Sequence, residues 1–158
     1  MTTPTMFAYA GGAEALQALA ETHYGRCVTD PLLSEVFGSE AHPDHVARLA
    51  DWLGEVLGGP DRYTQLHGGH HALLRQHAGR GITEEQRQRF VEIFLESADA
   101  VGLPDHPVFR TRLREYLDWG TGIAKEVSQS SDVPETDEPV PVWGWGPAGA
   151  PSAREQHE

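Results

Sequence analysis

A handful of side chains in this sequence could ligate a metal or polarise a small bound molecule. The foremost is His77. It closes the segment Gly69-His70-His71-Ala72-Leu73-Leu74-Arg75-Gln76-His77-Ala78, just ahead of the helix start Thr83-Glu84-Glu85-Gln86. A neutral imidazole held near a helix end and facing an apolar pocket is the usual protein anchor for the iron of a porphyrin. Taken alone, such a histidine is more often simply hydrogen-bonded or exposed. Tyr24 and His23 are adjacent on the apolar stripe of one helical segment, and His45 flanks the stripe of the next. Polar rings on inward faces are either satisfied within the core or open onto a ligand pocket. A different chemistry is written in His67 and His71, four apart, and in His70 and His77, two turns apart. That spacing suits a non-haem metal held on one helix face, although no cysteine or paired carboxylate completes a strong site.

These residues must be positioned by helices, because no strand-like alternation runs long enough to build a sheet. Leu16, Leu19, Ala20, His23, Tyr24 and Cys27 share one face of a helix predicted from Ala13 to about Val28, entered through Gly11-Gly12 and broken at Asp30-Pro31. A short helix is expected over Leu32 to Phe37 and a loop over Gly38 to His42. Pro43 suits the first turn of a second long helix, to about Leu57, with Val46, Leu49, Trp52, Leu53 and Val56 as its stripe and Gly58-Gly59-Pro60 as its stop. Loop with a turn of helix follows, then a short helix over His70 to Ala78, stopped by Gly79-Arg80-Gly81. Thr83 and Gln86 have capping-box spacing for a third long helix, to Val101, along which Phe90, Phe94, Ser97 and Val101 align. Asp105 is the predicted N-cap of the last helix, to about Val127, with Phe109, Leu113, Tyr116, Leu117, Gly120 and Ile123 inward.

Beyond Ser128 the composition changes. Pro134, Pro139, Pro141, Pro147 and Pro151 exclude regular helix, and acids and small residues dominate. The expected organisation is a helical domain over 1–128 and an acidic, proline-rich, flexible tail over 129–158. Trp143 and Trp145 stand out in that tail. Either they dock on the body or on a partner, or the chain there is extended and loosely attached.

The 158 residues carry a net charge of −12. The helical part holds 18 acids and 11 bases, and the remainder 6 and 1. An acidic body argues against nucleic acid and against anionic membrane surfaces as partners. No apolar run approaches a membrane span, and the first residues lack the basic and apolar regions of a signal peptide. Cys27 is the only cysteine, so no internal disulfide can form and the cytoplasm is the expected compartment.

In this order and spacing the chain resembles the truncated haemoglobins of group II. Five features carry the resemblance: Gly11-Gly12; Tyr24 followed by Asp30-Pro31-Leu32-Leu33 and Phe37; Arg48-Leu49; Gly58-Gly59-Pro60 with Tyr63; and Gly69-His70 leading to Arg75-Gln76-His77-Ala78. They extend from about Phe7 to Val127. The tail lies outside the shared domain, as do similar extensions in actinobacterial relatives.

The resemblance implies an all-α, two-over-two helical sandwich around haem b, with His77 as proximal iron ligand. It implies that Tyr24 is a distal hydrogen-bond donor to a bound diatomic ligand (O2, NO or CO). His45 replaces a small residue of the family, and three roles stand open for it: second donor, sixth iron ligand, or a solvent-facing ring at the haem edge. His23 reads as packing behind Tyr24. Phe37, Leu49, Trp52, Leu53, Leu74, Ile82 and Phe90 are expected as cofactor walls, with Phe94 beside them. Arg48 matches a residue that pairs with a haem propionate, and Tyr63, Arg75 and His71 are weaker candidates. Phe90 stands where the family has tryptophan, and Gly79 and Arg80 where it has proline and phenylalanine. The function implied is O2 binding, NO detoxification or peroxidase-type chemistry with electrons from an external donor, since no flavin or nicotinamide fingerprint is present. The protein would be a monomer or homodimer. A haem enzyme acting on a small organic substrate, in space freed at Phe90 and loosened at Gly79-Arg80-Gly81, is the alternative, and a non-haem helical metal module a second.

Overall fold

The computed structural model describes residues 4–37, 43–133, 136 and 138–146. Among them every regular element is a helix: α1 (Met6–Ala10), α2 (Gly12–Thr29), α3 (Ser34–Phe37), α4 (Pro43–Val56), α5 (Arg62–His67), α6 (Gly69–His77), α7 (Glu84–Ala100) and α8 (Pro107–Ser128). The loop expected over 38–42 lies outside the described residues. The buried face of α2 is Leu16, Leu19, Ala20, His23, Tyr24 and Cys27, the stripe that three- and four-residue spacing marks out. That face packs on α4 and on α7, while α8 packs on α7 and on α6. The long helices thus form two pairs, α2 with α4 and α7 with α8, and the short α6 lies against the second pair.

Caps and glycine turns set the helix ends. Thr83 and Gln86 form the reciprocal capping box at α7, the Thr83 hydroxyl accepting from Gln86 N at 3.1 Å and the Gln86 amide oxygen from Thr83 N at 2.9 Å. At α8 the cap is His106, not Asp105: its Nδ1 accepts from Val108 N at 3.2 Å, and Pro107 takes the first helical position. The sequence reading also overlooks α1, a single turn whose cap is the Thr5 hydroxyl, accepting from Ala8 N at 3.0 Å. Gly11, at φ 114°, turns the chain from α1 into α2. Asp30 ends α2 and starts the next turn by accepting from Leu32 N and Leu33 N at 3.0 and 3.2 Å. Arg89 of α7 reaches the same carboxylate at 2.8 Å and, as the leading cause, holds its pKa below the ordinary aspartate range.

The main core joins Leu16, Leu19, Leu53, Val56, Phe94, Phe109, Leu113 and Leu117, and it includes Val140 and Trp145 from beyond α8. Of the two readings open for that segment, docking on the body is what the structure contains. Trp145 packs edge-on against Tyr9 at 5.1 Å and lies 6.2 Å from Phe109, and its indole N–H donates to the Pro4 carbonyl at 2.9 Å. Trp143 N donates to the Val56 carbonyl at 2.6 Å, closing an orphan group at the end of α4. Arg112 of α8 donates to the Gly144 carbonyl at 2.8 Å and lies over the Trp143 ring at 4.6 Å. Residues 140–146 therefore cap one end of the helical core and tie it to the first residues of the chain.

Replacing a buried tryptophan by alanine leaves a large cavity. Trp145→Ala is expected to lower unfolding free energy by about 3 kcal/mol, read as a shifted urea midpoint. An unchanged midpoint would show that this segment contributes nothing to the core.

Candidate functional site

Helix α6 is short, and both of its ends are held. Gly68 and Gly69, at φ 93° and 77°, make the sharp entry that only glycine accommodates without strain. Beyond the helix, Gly79 N donates to the Ser130 carbonyl at 2.8 Å and Gly81 N to the Ser128 carbonyl at 2.9 Å, pinning the exit to the end of α8. Arg80 donates from its guanidinium to the Gln76 carbonyl at 2.5 Å and to the Val36 carbonyl at 3.2 Å, so it spans from α6 to α3. The Gly79-Arg80-Gly81 stretch is a tied wall, not a loosened one.

Within this frame the His77 ring has one defined hydrogen bond. Its Nδ1 lies 2.9 Å from the carbonyl of Leu73, one turn earlier. A carbonyl only accepts, so Nδ1 carries the proton and Nε2 carries the lone pair. Burial lowers the ring's pKa below the ordinary imidazole value, the Leu73 bond opposes that, and the nearby Arg80 charge adds to it. His77 is thus a neutral imidazole with a free σ-donor nitrogen at physiological pH.

His77 lines a cavity of about 380 Å3 enclosed by α2, α3, α4, α6, α7 and α8. The same cavity gathers Tyr24, Phe37, His45, Arg48, Leu49, Trp52, Leu53, Tyr63, Leu74, Ile82, Phe90 and Phe94. Arg75 is not among its lining residues and is exposed. Two positions before His77 on a 3.6-residue helix, its side chain falls on nearly the opposite face. His71 is also absent from the lining.

On one side of the cavity an aromatic cluster surrounds Tyr24. The His45 ring stands edge-on to it at 4.4 Å, and Phe37 lies 5.9 Å from Tyr24 and 5.3 Å from His45. Tyr24 is buried and His45 half-buried. Phe90 is stacked with Phe37 at 6.3 Å and meets His23 edge-on at 4.4 Å. The space that a tryptophan at position 90 would occupy is therefore bordered by these rings, and His23 packs behind Phe90 and Phe94.

The lining also contains polar groups. The charged groups lining the cavity are Arg48, Arg80 and Arg87, with no carboxylate among the described lining residues, in a chain of net charge −12. The buried His70 Nδ1 has no hydrogen-bond partner, the Tyr63 hydroxyl faces the Gln76 side chain, and all three residues line the cavity. Burial raises the Tyr63 pKa, and the positive charge of Arg48 partly offsets it. An anion with oxygen acceptors could pair with Arg48, whose charge reaches Tyr63, whereas Arg80 and Arg87 already donate to protein oxygens.

The sequence reading of a helix-face metal site does not survive the geometry. His67 ends α5 and His71 lies in α6, across the Gly68 turn, and the His67 ring is paired with Asp51 at 2.9 Å. Among the described residues no three His, Cys, Asp or Glu side chains come together as a metal site. Of the lining from α8, the sequence marks Tyr116, Leu117, Gly120 and Ile123 only as a core stripe and does not single out Trp119, Thr121 or Ala124. Its role as one whole wall of the cavity depends on α6 and α8 lying side by side.

Residues 5–116 match the model of a family described as bacterial-like globin. The chain belongs to this family. As a truncated haemoglobin, it is 34% identical to the group 2 truncated haemoglobin YjbI of Bacillus subtilis over 107 residues, covering 67% of this chain and 74% of that protein. The crystal structure of the group II truncated haemoglobin of Bacillus anthracis superposes with a TM-score of 0.70 at 23% identity, covering 87% of this chain and 98% of the other. The truncated oxygen-avid haemoglobin of Bacillus subtilis superposes with a TM-score of 0.66 at 28% identity, covering 79% and 99%. The globin fold and haem binding follow from the family. The cavity fits that cofactor: a neutral imidazole at His77, apolar walls, and arginine as the only charged residue type among the described lining residues. No helix among the described residues is long and apolar enough to cross a membrane.

Burial makes this globin sensitive to acid at a second histidine. His23 is fully buried, and burial above all lowers its pKa from 6.5 to about 3, with the His45 charge adding to the effect and the Phe90 backbone opposing it. The unfolded chain then binds a proton that the folded chain refuses. Stability is complete above the ordinary imidazole pKa and falls as pH drops below it, by up to about 1.4 kcal/mol per pH unit. Urea unfolding between pH 6.5 and 4 is expected to show this slope, and His23→Leu to make it shallower by close to one proton. An identical slope in the variant would refute the assignment.

Proposed function

We propose that His77 Nε2 would hold haem b in this globin and that Tyr24 and His45, which line the same cavity, would hydrogen-bond a diatomic ligand. The observation that carries the reading is the neutral His77, its proton committed to Leu73, on a cavity whose charged lining is arginine only. When bound, the haem supplies reversible binding of O2 or NO and, with electrons from an outside donor in the cytoplasm, their conversion to nitrate or peroxidase-type redox chemistry. The residues do the rest. Leu73 fixes the tautomer and orientation of His77, the outer-sphere contact that makes an imidazole a good ligand. Arg48 and the Tyr63 hydroxyl would donate to the cofactor's carboxylates. Leu49, Trp52, Leu53, Leu74, Ile82 and Phe90 keep water from the reactive face.

Tyr24 is the distal donor. Its hydroxyl hydrogen-bonds a ligand that becomes strongly accepting, and a bond of that kind contributes roughly 1.5–3 kcal/mol. His45, with its ring 4.4 Å from that of Tyr24, is placed to share that task or to orient the phenol. Phe37 adds no donor, so retention rests on these two side chains. The oxygen-avid Bacillus subtilis relative makes strong O2 retention the natural expectation. Nothing observed favours a separate organic substrate, since Phe37, His23 and Phe90 pack together where such space was expected.

Titration with haemin is expected to produce a Soret band that saturates at one equivalent. In stopped flow, Tyr24→Phe should keep that band and release O2 roughly ten- to one-hundred-fold faster. A rate equal to wild type would remove Tyr24 from the distal role.

A further inference from the structure

Apart from the cluster around Tyr24, two aromatic groups stand out. One, Tyr9, Phe109 and Trp145, packs at the end of the core. The other runs from the cavity to solvent. Trp52 and Tyr116 both line the cavity, and the Trp52 indole N–H donates to the Tyr116 oxygen at 2.6 Å. The Tyr116 ring lies 6.3 Å from Trp119 and 5.5 Å from Trp143, and those two indoles are 5.6 Å apart. Trp119 borders the cavity yet is 43% exposed. Rings at such spacings exchange an electron without any motion of the chain.

The stations differ in how readily they keep an electron hole. A tyrosine loses an electron easily only if its phenolic proton leaves with it. The Tyr116 oxygen accepts from Trp52, and burial pushes its phenol far above the usual range, so it is a poor resting place. Trp143 lies under the Arg112 guanidinium at 4.6 Å, whose charge disfavours a cation on that indole. Among the described residues no cation lies over the Trp119 ring, and water reaches it. An indole can be oxidised to its radical cation before it loses any proton. The hole therefore comes to rest at Trp119.

We propose that Trp119 is a surface oxidation site, through which phenolic reductants too large for the cavity give electrons to the haem pocket. The inference rests on the haem-binding reading above. With a hydroperoxide as oxidant the balance is simple. The hydroperoxide O–O bond breaks, and two electrons and two protons convert it to an alcohol and water. Each electron leaves Trp119 inward and is replaced by one from a phenol at the surface. The phenol's O–H bond breaks, its proton passes to water, and a phenoxyl radical is released. Two phenols are consumed per hydroperoxide, and Trp119 is unchanged at the end.

The haem-loaded protein is treated with hydrogen peroxide and a nitroso spin trap, and its peptides are analysed by mass spectrometry. The expected result is a trap adduct on Trp119. A phenol coupled to dextran, which cannot enter the cavity, is expected to be oxidised by wild type and about ten-fold more slowly or less by Trp119→Phe. That variant, altered at a half-exposed site, should keep the Soret band. A normal Soret band with no adduct at Trp119, or with equal oxidation of the dextran phenol by the variant, overturns the relay alone. No Soret band in wild type overturns the haem site and the relay together.

Discussion

The hydrogen bond from His77 Nδ1 to the carbonyl of Leu73 is the contact on which the rest of the site depends. It spans one turn of α6, so the short helix itself enforces it. It decides which nitrogen keeps the proton, and burial ensures that there is only one proton to place. A protonated ring, or the other tautomer, would leave no lone pair on Nε2. The glycine entry to α6 and the backbone bonds from Gly79 and Gly81 to the end of α8 hold that turn in place. What resembles a weak point in the sequence, three small or flexible positions after the histidine, is where two helices are fastened together.

Around that imidazole the cavity lining is mixed. Aromatic rings from α2, α3, α4 and α7 crowd Tyr24 and His45, and three arginines also line the cavity. A porphyrin, apolar with carboxylates on one edge, is an amphiphile that such a lining suits. The acidic exterior makes the contrast sharper: a chain with a net charge of −12 places arginine, and no acid among the described residues, on the lining. The segment after α8 belongs to the same construction. Pro141 reaches the cavity lining, while Val140 and Trp145 enter the core.

Much of the fold was legible because helical periodicity reports burial directly. The six inward positions of α2 were read from spacing alone, and the capping box at Thr83 was visible as a local pattern. Local patterns fail where the deciding contact is distant. Trp145 is ordered by Pro4 and Tyr9, at the opposite end of the chain, and its own surroundings of proline and acid suggest loose chain. The cap of α8 moved from Asp105 to His106 because Pro107 takes the first helical position, which makes its predecessor the cap. Arg75 is one of the weaker propionate candidates that the resemblance offers, but two residues before His77 on a helix is just over half a turn, and its side chain is exposed. The α8 wall was legible as core and not as site, since a stripe does not name the helix it faces.

The most direct test of the central claim is the ferrous, ligand-free resonance Raman spectrum of wild type beside His77→Gly, with and without added imidazole. An iron–histidine stretching band in wild type, lost in the variant and restored by free imidazole occupying the vacated space, is the predicted result. A band that persists unchanged in His77→Gly would show that another side chain holds the iron, and the account of this cavity would be wrong at its centre.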